Sequence, residues 1–247
     1  PKIVKMHDGK WYAVFGNGYN NTEADGHQST TGEAVVFIVD LEDKSNFVKI
    51  STGVGASADP EGNNRPNGMA TVTPVDVDGD ARVDYIYGGD LFGNVWKFDT
   101  TSTSPGSWSL GYKLFDTCAS GCQPITSAVS TGFTDDGIGL MVFFGTGKYL
   151  ETTDNNGAAG GMQSFYGILD LGTGTGSTVS KSSLLKQQIT SQTTKFFTDT
   201  KGTENTGDDT TTERSVRETS AHQLLPGQKG WYIDLDYGGP TGERIIV

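Results

Sequence analysis

The sequence has little of the side-chain chemistry on which many enzymes depend, with two cysteines and three histidines among its 247 residues. No run approaches the roughly 20 apolar residues that a membrane-spanning helix needs. Helical periodicity is also scarce, and only residues 183–192 (SLLKQQITSQ) predict a short helix. The chain begins at Pro1 without an initiator methionine or signal peptide, so we expect a mature or excised part of a longer protein.

Positive charge is scarce too. The 18 basic residues are outnumbered by 30 acidic ones, which gives a net charge of −12. Such a chain is repelled by nucleic-acid backbones and anionic membrane surfaces, and it attracts cations. The two cysteines, Cys118 and Cys122, are close enough to form a local disulfide in an oxidising compartment, with free thiols as the alternative. A zinc site would need more cysteine or histidine nearby than the sequence has.

What the chain has in abundance is glycine, at 35 residues, together with 12 Phe, 9 Tyr and 4 Trp. Apolar strands separated by Gly-rich turns recur along the chain and predict β-hairpins. The copies are residues 11–40, 84–99 and 140–172, with a looser fourth copy at 229–247 that stops within a strand. Repeated hairpins predict an all-β fold, a modified β-propeller or part of one, with long polar loop insertions. We expect residues 1–247 to be part of one such domain, and a β-sandwich is the alternative.

The most informative segment is residues 76–84, DVDGDARVD. Calcium takes six to eight oxygen ligands, and alternate side chains on a tight loop converge on one point. Magnesium requires stricter octahedral geometry, and transition metals prefer His or Cys, which this loop lacks. The sequence therefore predicts a Ca2+ site. Its expected ligands, at loop positions 1, 3, 5, 7 and 9, are the carboxylates of Asp76, Asp78, Asp80 and Asp84 and the backbone carbonyl of Arg82.

The loop differs from an EF-hand, because position 6 is Ala81 and position 12 is Tyr87, where EF-hands have Gly and a bidentate Glu. A solvated acidic turn is the alternative interpretation. Aligning Gly145 with Gly88 places residues 133–141, FTDDGIGLM, opposite this loop with three of the four acids missing. The strand–turn–strand unit therefore does not need the acids, which favours the calcium interpretation. The alternate spacing of Asn21, Glu23 and Asp25 suggests a second, weaker calcium site as a further hypothesis.

The segment 76–99, DVDGDARVDYIYGGDLFGNVWKFD, resembles the PilY/PilC family, the tip-associated adhesins of type IV pili, with support from WYAVFGNGYN, VVFIVDLE, VFFGTGKYLETTD and GWYIDL. The resemblance implies a calcium-binding, propeller-like C-terminal domain. It also implies a non-enzymatic role in pilus biogenesis, in the balance of extension and retraction, in twitching motility and in surface adhesion. It further implies an extracellular location at the pilus tip or outer-membrane surface, minor pilins as partners, and a host or surface ligand. Integrin recognition through Arg-Gly-Asp is not implied, because this tripeptide is absent.

Two other function classes compete with this interpretation. Quinoprotein-like propeller dehydrogenases also combine Gly and Trp repeats with calcium, but their quinone-stacking disulfide joins adjacent cysteines, whereas three residues separate those here. A glycosidase would need a carboxylate pair such as Asp135 or Asp136 with Asp170. The four tryptophans are predicted to lie in the blade core, and the three histidines to be ordinary surface or loop residues: Trp11, Trp96, Trp108, Trp231, His7, His27 and His222.

Overall fold

The computed structural model describes residues 1–247 apart from 25, 70, 119–120, 135–136, 138, 173–178, 205, 240–241 and 247, and apart from the side chains of 158–159. Fifteen β-strands dominate the described part, in which no α-helix occurs. No helix there is long and apolar enough to cross a membrane. Among the described residues, short 3-10 turns lie at Ala56–Ala58, Pro105–Ser107, Thr152–Asn155, Gly157–Gly160, Lys181–Ser183 and Thr206–Asp208. The all-β prediction is confirmed.

Two four-stranded antiparallel sheets form the first two blades. Blade 1 runs in chain order through β1 (Lys2–Lys5), β2 (Trp11–Gly16), β3 (Val35–Asp40) and β4 (Phe47–Ser51). Blade 2 runs in the same way through β5 (Thr73–Val75), β6 (Tyr85–Gly89), β7 (Asn94–Asp99) and β8 (Ser109–Asp116). Each neighbouring pair is antiparallel, as the hairpin pattern predicts.

Blade 3 is a five-stranded sheet whose order departs from chain order. Its strands are β9 (Ser130–Phe133), β10 (Leu140–Gly145), β11 (Ser164–Asp170), β12 (Leu185–Gln187) and β15 (Gly230–Asp234). Strand β15 pairs with β11, and β12 pairs with β15 in parallel at the edge. The supposed fourth hairpin copy therefore contributes its strand to blade 3 and does not start another sheet.

Between β12 and β15 the chain forms a separate two-stranded hairpin, β13 (Ile189–Asp199) and β14 (Thr210–Thr219). Most of its side chains are exposed, including Phe196 and Phe197. The helix predicted over 183–192 is wrong, because this segment holds β12 and the start of β13. Pairing of β12 with the distant β15 overrides a local helical pattern that was weak.

Stacking of the blades creates two hydrophobic clusters, one on each side of blade 2. In β6, Ile86 faces blade 1 and Tyr87 faces blade 3, and in β7 the same alternation places Trp96 and Val95 on opposite sides. Because both faces are covered, these strands are apolar on both faces. Gly88 and Gly89 permit the close approach, since a Cβ there would lie 2.5 Å from Met69 Sδ and 2.2 Å from Ile125 Cγ2.

Two further predictions can be compared with the fold. Cys118 and Cys122 form the expected disulfide. Trp96 and Trp108 are buried in the cluster between blades 1 and 2, as predicted. Trp11 is not a core residue, because its position on β2 alternates with the buried Tyr12 and leaves its side chain 53% exposed on the outer face of blade 1.

Candidate calcium site

The acidic loop connects β5 to β6 at one end of blade 2, with Asp76 directly after the first strand and Asp84 directly before the second. The Asp84 amide donates a hydrogen bond to the Val75 carbonyl at 2.9 Å, which closes the loop at its base. The Asp84 carbonyl is fixed in turn by the amide of Thr100 at 2.9 Å and by its hydroxyl at 3.0 Å. Loop residues 76–84 therefore start and end on rigid strands.

Carboxylates organise the backbone inside the loop. Asp76 accepts hydrogen bonds through both oxygens, Oδ1 from the Gly79 amide at 2.7 Å and Oδ2 from the Ala81 amide at 2.8 Å. Asp78 Oδ1 accepts from the Asp80 amide at 3.1 Å. Gly79 and Ala81 adopt the left-handed conformation, with φ of 81° and 66°. Ala81 thus takes the conformation that glycine adopts at position 6 of an EF-hand loop, at a steric cost of roughly 1–2 kcal/mol.

Three of the four acids come together. One carboxylate oxygen from each of Asp76, Asp78 and Asp84 lies within 4.8 Å of the others. Asp80 is outside this group, since its Oδ1 accepts from the Arg82 amide at 2.8 Å and its Oδ2 lies 3.8 Å from Arg82 Nε. Asp78 is exposed and Asp84 is buried, so the group lies at the protein surface with one ligand in solvent and one in the interior.

A contact that the sequence analysis missed ties this loop to blade 1. His7, in the turn between β1 and β2, places Nε2 3.0 Å from Asp84 Oδ1, and both side chains are nearly buried. The Val83 amide also donates to the Lys5 carbonyl at 3.0 Å. His7 and Asp84 are 77 positions apart, so no local pattern in the sequence indicates the pairing.

The donor set fits a hard divalent cation. The three grouped ligand atoms are carboxylate oxygens, and a carboxylate has about four lone-pair sites, so its existing hydrogen bonds leave room for an ion. Oxygen donors suit calcium and do not favour transition metals. Three carboxylates so close repel each other by roughly 1–3 kcal/mol per pair without a cation. Asp76, Asp78 and Asp84 would hold the ion and compensate its charge.

Residues of the competing interpretations are arranged differently. Asp170 is buried and accepts hydrogen bonds from Tyr87 and Tyr112 at 2.6 Å and 2.5 Å, while Lys97 Nζ lies 2.9 Å from it. A carboxylate held in this way is a structural group, and its suggested partners at 135 and 136 lie outside the described residues. At the weaker acidic cluster, position 25 also lies outside them. The Asn21 amide donates to two backbone carbonyls, those of residues 33 and 67, and its Oδ1 is buried with no hydrogen-bond partner in the described part of the chain.

Comparison with known proteins shows the family to which the chain is similar. A family model described as the PilY1 beta-propeller domain matches residues 1–202. The chain is 33% identical, over 263 residues, to a type IV pilus biogenesis factor PilY1 homolog of Xylella fastidiosa. It is 30% identical, over 285 residues, to the type IV pilus biogenesis factor PilY1 of Pseudomonas aeruginosa. Both matches cover 100% of this chain but only 16% and 22% of the relatives, so the chain spans less than a quarter of their length.

A solved structure is similar as well. The crystal structure of the Pseudomonas aeruginosa PilY1 C-terminal domain superimposes with a TM-score of 0.77 at 27% identity. The match covers 100% of this chain and 52% of that one. The β-propeller prediction is therefore confirmed at the level of fold.

Proposed function

The chain belongs to the PilY1 β-propeller domain family, and from this premise we propose that it is a calcium-binding part of a type IV pilus biogenesis factor. The observation that carries the calcium assignment is the convergence of Asp76, Asp78 and Asp84 within 4.8 Å. The resident ion is Ca2+, and the chain binds without catalysing a reaction.

Five groups form the proposed ligand set. Asp76, Asp78 and Asp84 are supported by their grouping, and Asp84 also by its two side-chain contacts, to His7 and to the Val77 amide at 2.7 Å. Asp80 and the Arg82 carbonyl complete the set, and we expect Asp80 to exchange its contact with Arg82 for the ion. The exposed end of the loop makes this rotation inexpensive, because both side chains are substantially in solvent.

Calcium would keep the exposed part of the loop in one shape and so define the neighbouring surface. A ligand at 1,000 times its dissociation constant stabilises the bound state by about 4 kcal/mol. That free energy is enough to bias a loop between arrangements that differ by a few kcal/mol. In the whole protein this surface would meet minor pilins or the pilus tip, outside the outer membrane. Pilus extension and retraction, twitching motility and adhesion to a host or other surface would then depend on the ion.

Calorimetric calcium titration of the chain tests the ligand set. We expect one site in the wild type, and no measurable binding for Asp76→Ala or Asp84→Ala. Asp43→Ala is the matched control, because Asp43 also organises a turn, by accepting from the Ser45 amide at 3.0 Å, but lies outside the acidic group. Saturating calcium should raise the melting temperature of the wild type and control by about 8–16 °C. Wild-type affinity in Asp76→Ala would contradict the assignment.

A cellular experiment tests the biological role. The full-length protein carrying Asp84→Ala should be expressed in a type IV pilus-forming bacterium whose own copy of the gene has been deleted. These cells should show less surface piliation and twitching than cells that express the wild-type protein. The Asp43→Ala version should restore both. Full twitching by a variant that has lost calcium binding would separate the ion from pilus function and refute that part of the proposal.

A further inference from the structure

We propose that His7 is a positioning residue for the calcium ligand Asp84, and that through it ion binding is coupled to the contact between blades 1 and 2. The inference rests on the proposed calcium function and adds a residue from a different blade. The His7 Nε2 to Asp84 Oδ1 distance of 3.0 Å is a direct hydrogen bond, and an ionised carboxylate can only accept it. The imidazole is therefore the donor.

Asp84 is oriented by two donors, one on each oxygen. Val77 donates its amide to Oδ2 at 2.7 Å from within the loop, and His7 donates to Oδ1 from blade 1. With both bonds present, the plane of the carboxylate is fixed before an ion arrives. Loss of the His7 bond leaves a single donor, about which the carboxylate can rotate. Partners of this kind, which orient a metal ligand, typically contribute 10–100-fold to metal affinity.

The same contact is part of an interface between blades. Next to it, the Val83 amide donates to the Lys5 carbonyl, and the Val83 side chain is buried in one hydrophobic cluster with Met6 of the β1–β2 turn. The turn is itself closed by hydrogen bonds between the Met6 amide and the Lys10 carbonyl at 3.0 Å, and between the Gly9 amide and the Met6 carbonyl at 2.9 Å. Thus the neighbours of His7 and Asp84 in the chain, Met6 and Val83, lie in one cluster. Fixing the β1–β2 turn therefore helps to fix the acidic loop, and fixing the loop helps to fix the turn.

Coupling of this kind is reciprocal. If blade 1 raises calcium affinity by holding Asp84, calcium must stabilise the blade 1 turn by the same factor. Hydrogen exchange can detect this effect separately from binding. Calcium should slow exchange of the Gly9 amide in blade 1 as well as that of the Gly79 and Ala81 amides in the loop.

The test compares His7→Leu, His7→Gln and Tyr12→Phe by calcium calorimetry on the whole chain. His7→Leu removes the donor, and we expect about tenfold weaker binding. His7→Gln places an amide N–H near the position of Nε2, so it should restore affinity to within about threefold of the wild type. Tyr12→Phe is the matched control, since it deletes the 2.6 Å hydrogen bond to Asp8 in the same turn but leaves the His7–Asp84 pair intact.

The outcomes separate this inference from the proposed function. If the wild type binds no calcium, the proposed function fails and the inference fails with it. If the wild type binds calcium but His7→Leu binds equally well or more tightly, only the inference is overturned. It is also overturned if His7→Gln is as weak as His7→Leu, or if Tyr12→Phe weakens binding equally, because a general loss of blade 1 structure would then explain the effect. The inference is supported if, of the three variants, only His7→Leu binds calcium weakly. In that variant, calcium should no longer slow hydrogen exchange of the Gly9 amide but should still slow that of the Gly79 amide.

Discussion

Replacing Lys97 by methionine should destabilise the junction between blades 2 and 3 more than any change of similar size at the surface. Lys97 is 4% exposed on β7, and its Nζ lies 2.9 Å from Oδ2 of Asp170, at the end of β11. Its ammonium also lies 3.8 Å above the ring of Tyr85. Methionine keeps most of the length and apolar volume of the lysine stem but removes the charge that compensates Asp170.

The magnitude follows from what remains around Asp170. Breaking a buried ion pair by removing one partner typically costs about 3–5 kcal/mol. Asp170 would keep its hydrogen bonds from Tyr87, Tyr112 and the Gly172 amide, so we expect the lower value, about 3 kcal/mol. For a chain of this size, that free energy lowers the melting temperature by about 6–12 °C.

Chemical denaturation and calorimetry measure the effect, with Lys113→Met as the matched control. Lys113 pairs with Asp116 at 2.9 Å on the partly exposed part of β8, where an ion pair contributes at most about 1 kcal/mol. The double variant Lys97→Met with Asp170→Asn should be less destabilised than the sum of the two single variants, since neither charge is then left alone. A Lys97→Met protein as stable as the Lys113→Met protein would refute this account of the junction.

Three further outcomes are expected. Ala81→Gly should stabilise the chain by about 0.5–1 kcal/mol, as measured by denaturant titration. Glycine relieves the strain of the left-handed conformation, and the greater entropy of the unfolded chain offsets only part of that gain. A less stable variant would show that Ala81 is not left-handed. The hydrogen bond from Lys10, helped by the Glu42 amide, lowers the pKa of Asp40 from 3.8 to about 2. The ionised Asp40 carboxylate therefore stabilises the fold fully above about pH 4, and this contribution is lost as the pH falls to about 2. The melting temperature of Asp40→Asn should depend less on pH in that interval than that of the wild type. An unchanged dependence would show that Asp40 is not the group responsible. Replacing residues 191–217 by a short Gly-Ser linker should change the melting temperature by no more than about 2 °C, because no described side chain of the β13–β14 hairpin belongs to either hydrophobic cluster. A large loss of stability would mean that the ion pair between Arg217 and Glu243 contributes more than its exposure suggests.

Local sequence by itself determined the features whose parts lie within a few residues of each other. The alternating acids of 76–84 predict an ion site because side chains on one short bend must converge, and Asp76, Asp78 and Asp84 do so. The Cys118–Cys122 bridge follows from a spacing that a small loop can close. Apolar strands with Gly-rich turns predicted the two central strands of blade 1 (β2 and β3) and of blade 2 (β6 and β7), because each pair is a hairpin of neighbours in the chain. The edge strands of both blades were not predicted.

Only the tertiary structure decided the features that join distant parts of the chain. Strand β15 lies in blade 3, and β12 is a strand and not a helix, because each completes a sheet with a partner more than 40 positions away. The pairs His7–Asp84 and Lys97–Asp170 exist because blade 2 stacks between blades 1 and 3, and no pattern along one strand encodes which face its neighbour will cover. Stacking of sheets thus placed the His7 donor on Asp84, whereas Asp80 makes its contacts with Arg82 inside the loop. The structure therefore distinguishes acids that the sequence presents as equivalent.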